Sequence, residues 1–97
     1  AMDMVQIQIS DDGMNWYTVF YWGDGNAGNN GSIGAGYCPG TEDDNCLIQA
    51  ADLYPYPGTG IVIDIDSLGY TGNYPWVRIT CPAGDSGDGC EIDAIEP

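Results

Sequence analysis

Along this chain the hydrophobic pattern repeats every two residues rather than every 3.6. At residues 4–10, Val5, Ile7 and Ile9 alternate with Gln6 and Gln8, and residues 15–22 are almost entirely aromatic or β-branched. Successive side chains of an extended backbone point to opposite faces, so this alternation predicts a strand with one apolar face. Asp11-Asp12-Gly13 between the two runs is turn chemistry, and the segment reads as strand, tight turn, strand. Trp16, Phe20 and Trp22 fall at even spacing and are expected to share the core face of the second strand.

Residues 23–36 are Gly, Asn, Asp and Ala with one Ser and one Ile, which predicts a long loop without an element of its own. Residues 47–53 fit either a short strand or a helical turn. Residues 60–66 predict a strand with Ile61, Ile63 and Ile65 on one face and Val62, Asp64 and Asp66 on the other. Such paired like charges are costly unless exposed or bridged by a cation, and exposure is the expectation here. Residues 74–81 form a further strand, with Val77 and Ile79 on one face and Trp76 and Arg78 on the other, either face being inward. Residues 90–95 close the chain as a last strand. Short strands parted by Gly and Pro turns, with no convincing helix, predict an all-β antiparallel β-sandwich.

A chain of 97 residues is one domain, residues 1–97, and small enough to need staples. Cys38 and Cys46 lie eight apart and Cys81 and Cys90 nine apart, each pair bracketing a loop rich in Gly, Pro and Asp. Of three possible connectivities, Cys38 with Cys46 and Cys81 with Cys90 closes two loops without long-range register. There is no CxxC spacing and no histidine, so zinc is disfavoured and an oxidising, extracellular or cell-surface location is expected. No signal-peptide pattern or membrane-spanning apolar run is visible; an exported form has lost its signal or lies in a longer parent chain.

Charge excludes whole classes of partner. Fifteen Asp and Glu stand against Arg78 alone, a formal net charge of −14 with no lysine. Binding nucleic acid requires Lys and Arg in numbers, and an anionic membrane surface repels such a chain. Self-repulsion destabilises the compact state, so bound cations or salt relieve it. A Lys–Asn isopeptide crosslink has no lysine from which to form. The Gly84-Asp-Ser-Gly87 run looks like a serine nucleophile motif but has no histidine base, and reads as a turn. The chain is expected not to be an enzyme.

The acidic side chains concentrate near the end of the chain. Asp85 and Asp88 sit in a glycine-rich turn, followed by Glu91 and Asp93 at strand spacing. A hard cation takes six to eight oxygen ligands from such groups, so these four are candidate ligands for a structural Ca²⁺, although the pattern is not an EF-hand. The bland reading is a solvated turn closed by Cys81 and Cys90.

Three pieces of the chain occur together in a telling order: VQIQISDDGMNWYTV at residues 5–19, YPWVRIT at 74–80 and GDGCEIDAI at 87–95. This combination resembles the later strands of discoidin-like, galactose-binding-like jelly rolls of bacterial extracellular proteins. The likeness rests on an S-x-D-G-x-N-W turn, a Y-P-x-V-R-I strand and a G-D-G-F-D-L-D-A-I strand, and covers about a third of the chain. It implies a jelly-roll-like sandwich in which Asp93 meets metal ligands from the first strands. Cys90 departs from the pattern, standing where it has a bulky apolar residue. The 23–36 and 38–46 segments have no counterpart, and the strands that precede this pattern in the family are missing. The domain is then a short variant, or one whose missing strands come from another chain or a swapped copy of itself.

Seven Tyr, three Trp and one Phe exceed what so small a core needs. Tyr54, Tyr56, Tyr70, Tyr74 and Trp76 are placed in or beside loops and are candidate ligand-binding residues for sugar rings, against the plainer reading of packing or a protein interface. The leading expectation is a calcium-stabilised extracellular binding or display module, its ligand a carbohydrate or a surface protein. The rival is a purely structural or self-assembly module, completed by strand exchange, a homodimer or a partner chain.

Overall fold

The computed structural model describes residues 3–33, 48–54, 60–82, 90 and 92–97. Its regular structure is mostly strand: β1 (Val5–Ser10), β2 (Tyr17–Trp22) and β3 (Trp76–Thr80) form a three-stranded antiparallel sheet in the order β2-β1-β3. The first two are the hairpin that the alternation predicts. The third pairs with β1 across the whole chain, Ile7 opposite Ile79 and Gln8 opposite Arg78.

One irregularity decides which side chains face where. Ile7 pairs with Phe20 but the next residue, Gln8, pairs with Thr18, so Val19 is an extra residue in β2. A bulge of this kind reverses the alternation beyond it. Trp22 and Phe20 therefore lie opposite Val5 and Ile7 on the inner face, whereas Thr18 lies on the outer face, where its hydroxyl accepts a 2.8 Å hydrogen bond from the Gln6 amide. Trp16, two residues before Thr18, follows it outward. The expectation of a shared core face holds for Phe20 and Trp22 and fails for Trp16.

The core gathers at the β2 side of the sheet. Val5, Phe20, Trp22, Ile33 and Ile48 are buried together, with Ile7, Leu53, Ile61, Ile63, Ile79 and Cys90 packed against them. Residues 23–36 were expected to be a plain loop, yet they hold two short 3₁₀ turns, Ala27–Asn29 and Gly31–Ile33, the second carrying Ile33 into the core. Local side chains make this possible. The Asp24 carboxylate accepts from the Asn26 backbone N–H and the Asn29 side chain, and Asn26 in turn caps the Gly28 N–H. The ambiguous segment near residue 50 resolves as a helical turn, Ala50–Leu53.

Two predicted strands carry no strand among the described residues. Residues 61–66 keep the expected alternation, Ile61, Ile63 and Ile65 half-buried and Val62, Asp64 and Asp66 exposed, but the segment joins no ladder. Its backbone is held instead by Ser32, whose N–H donates to the Val62 carbonyl at 2.8 Å and whose hydroxyl accepts from the Val62 N–H at 2.9 Å. Gly31 permits this approach: its φ is +55°, and a Cβ there would lie 2.7 Å from the Val62 carbonyl oxygen. Residues 92–97 carry no strand and are exposed. Ile92 and Ile95 are three residues apart, so a strand could not bury both on one face.

Candidate functional site

The β1–β2 turn is built from the residues that the S-x-D-G-x-N-W pattern singles out. Ser10 is fully buried, and its hydroxyl accepts from the Asp12 and Gly13 N–H groups while donating to Asp12 Oδ1. Asp12 Oδ1 also accepts from the Met14 and Asn15 N–H groups at 2.7 and 2.8 Å, and Oδ2 accepts from the Asn15 side chain at 2.6 Å. These donors, the Asn15 N–H foremost, hold the Asp12 carboxyl well below the usual carboxylate range. Gly13 has φ +75°, and a Cβ on it would stand 3.3 Å from Cε2 of Trp76. The turn is thus a rigid shelf on which the Trp76 indole lies.

Around that shelf the outer face collects an aromatic and polar surface. Trp76, opposite Ser10 in the ladder, is 54 % exposed. Arg78 stacks its guanidinium 4.2 Å from the centroid of the Trp16 ring and donates from Nε to Gln8 Oε1 at 2.9 Å. The only base in the chain is therefore oriented by a cation–π contact and a hydrogen bond. A guanidinium has five N–H donors in a fixed plane, so among the described residues four remain beyond the bond to Gln8. Two indoles, an oriented guanidinium and the Gln6 and Gln8 amides can stack a flat apolar ring face and donate to hydroxyl or carbonyl oxygens at its edge.

The predicted aromatic platform is split. Tyr70 and Tyr74 meet each other at 5.9 Å and join Tyr17, at 5.2 and 6.2 Å, in a cluster of half-buried rings. Tyr17 pairs with Ile9 on the inner-face side of the sheet, so this cluster and Trp76 do not form one surface. The Asp11 carboxylate, chiefly, raises the Tyr17 phenol above its ordinary value. Tyr54 stands apart at the end of the helical turn, 62 % exposed, and Tyr56 lies outside the described residues. The residues missed from sequence are Trp16, Arg78 and Gln8. Their convergence depends on the Val19 bulge and on β3 pairing with β1, neither of which the unbroken apolar and aromatic run from Val19 to Trp22 signals.

Of the proposed metal ligands, Asp85, Asp88 and Glu91 fall outside the described residues, as does the Gly84–Gly87 run. Asp93 is exposed, and among the described residues no three acidic, His or Cys side chains come together to hold an ion. The described part of the chain does not by itself form a calcium cage. The second staple is present: Cys81 and Cys90 are joined, their Cα atoms 5.7 Å apart. Cys38 and Cys46 lie outside the described residues.

No family model, curated protein or solved structure matches the chain. The site has to be read from its own chemistry.

Proposed function

We propose that the chain is a non-catalytic extracellular binding module that takes a carbohydrate on the outer face of its sheet, at Trp76, Arg78 and Trp16. The observation that carries this reading is the pairing of a half-exposed indole with a guanidinium oriented on a second indole. Sugar rings offer an apolar C–H face for stacking and a rim of hydroxyls for directed donors, the two features this surface combines. The three-stranded sheet is one layer of a discoidin-like jelly-roll sandwich in this proposal, and its motif turn is the shelf under Trp76. The Cys81–Cys90 disulfide agrees with an oxidising compartment. A structural Ca²⁺ near Asp93 and the loop closed by that disulfide belongs to this proposal on the acidic composition and the jelly-roll resemblance, and a chain of net charge −14 gains from a bound cation.

Calorimetric titration against a panel of neutral and acidic glycans tests the platform. Binding is expected for the wild type, lost in Trp76→Ala and weakened in Arg78→Lys, which keeps the charge but not the planar fork. A wild type that binds no glycan at millimolar concentration overturns the carbohydrate reading. Melting in EGTA and in millimolar Ca²⁺ tests the ion separately, since a ligand specific to the native state must raise the melting temperature.

A second reading, the structural or assembly module, is favoured by one observation: the inner face remains open at its β3 side, where Val77 is 46 % exposed.

A further inference from the structure

The sheet's inner face is covered unevenly. Phe20 and Ile48 are buried under β2 whereas Val77 of β3 is half-exposed, and a concavity of about 1460 Å³ reaches from Phe20, Ile48 and Ile61 to Val77 and Ile79. Ile7, Ile9, Val77 and Ile79 contribute apolar lining, and Ile92 and Ile95 line it from the C-terminal segment while remaining 46 and 51 % exposed. Asp3, Asp93 and Glu96 border the same space. The cleft is therefore apolar with an acidic margin.

Beside it runs an edge. Among the described residues β3 pairs only with β1; its sequence, WVRIT, has no proline, and its one charge, Arg78, is turned to Gln8 of β1 and the Trp16 ring on the outer face, leaving the edge without the usual devices that keep it from recruiting another strand. A strand added there continues the ladder through its backbone. Its alternate side chains enter the cleft beside Val77 and Ile79.

We infer that the β3 edge and this cleft receive an extended segment of another protein, apolar at alternate positions and flanked by Lys or Arg. The charge selects the partner. A chain of net charge −14 with carboxylates along the cleft attracts a basic segment, whereas a second copy brings the same −14 to the contact. This rests on the second reading above and not on the saccharide platform, which occupies the opposite face.

The full chain is titrated into a dye-labelled peptide of alternating Val and Thr with two Lys at each end. One twin has Glu in place of Lys and another has Pro at its centre. The Lys-flanked peptide is expected to bind at least about tenfold more tightly than the Glu twin, weakening with salt, and the Pro twin to lose binding. Val77→Arg places a cation in the cleft mouth at a half-exposed position and should weaken the Lys-flanked peptide by at least about tenfold. Its circular dichroism melt checks that the fold survives, and the comparison among peptides stands without the variant. Equal binding of the Lys and Glu peptides, or no binding of either, overturns the inference. So does a micromolar dimer of the chain by sedimentation, which assigns the edge to a second copy. Glycan titration of Val77→Arg distinguishes the two sites, because the platform should still bind.

Discussion

The two faces of the sheet differ in how they are finished. On the outer face polar side chains are joined in pairs, Gln6 with Thr18 and Gln8 with Arg78, and Trp76 rests on a turn knitted together by Ser10 and Asp12. On the inner face Trp22 and Phe20 are buried while Val77 is half-exposed, so that one apolar surface is shielded at its β2 end and open to solvent at its β3 end. An ordered surface has its geometry set before a ligand arrives, which suits recognition by stacking and directed donors. An open apolar surface gains most by being covered, which suits docking. Stability should accordingly concentrate at the β2 end, and sensitivity to partners at the β3 end.

Truncation along the inner face gives the largest effect and the sharpest break in that comparison. Phe20→Ala or Trp22→Ala should cost roughly 3–5 kcal/mol in urea unfolding, enough to abolish a cooperative transition in a domain this small. Val77→Ala on the same face should cost no more than about 0.5 kcal/mol, because its site already meets solvent. Similar losses at both ends would show that the cleft is closed in solution.

The next effect concerns the disulfide that fastens residue 90 to the end of β3. Cys81→Ser with Cys90→Ser should lower stability by roughly 2–3 kcal/mol, the entropy of a short closed loop. Reducing agent should reproduce the part of the fall due to this bridge.

Glycine replacements distinguish the faces more finely. Gly31→Ala meets both a left-handed backbone and the Val62 carbonyl, and should cost about 2 kcal/mol while loosening residues 60–65, read by hydrogen exchange of Val62. Gly13→Ala should cost about 1–2 kcal/mol and shift the fluorescence of Trp76 on the outer face, with the Val62 amide unaffected.

Acid titration of the turn is the smallest effect. The Asp12 pKa is lowered from its ordinary 3.8 in the folded chain, so its contribution is complete above that value and is lost as pH falls below it. Melting temperature should therefore drop on acidification through this range, and Asp12→Asn should flatten the part of the drop that belongs to the turn. An identical acid profile in wild type and variant would remove Asp12 from the account.

The legible features were the local ones. Alternation at Val5, Ile7 and Ile9 identified β1, the Ser10–Trp16 motif identified its turn, and the nine-residue spacing of Cys81 and Cys90 identified their bridge. Exposure of Asp64 and Asp66 was readable from the cost of pairing like charges. The errors arose where a residue's role depends on a distant partner. Residues 60–66 have the pattern of a strand but are secured by Ser32, thirty positions away. Residues 23–36 have the composition of a loop, yet Ile33 is drawn into the core because Phe20 and Trp22 provide apolar surface to cover.

By itself, then, the sequence determined a strand-rich chain with a tight turn, a local disulfide and a formal net charge of −14, all consequences of short-range stereochemistry and composition. Only the tertiary structure decided that Trp16 leaves the core, that Arg78 stacks on it beside Trp76, and that the inner face opens at β3. A single extra residue in β2 reverses the facing of what precedes it, and a ladder joining residue 8 to residue 78 has no signature in either segment alone.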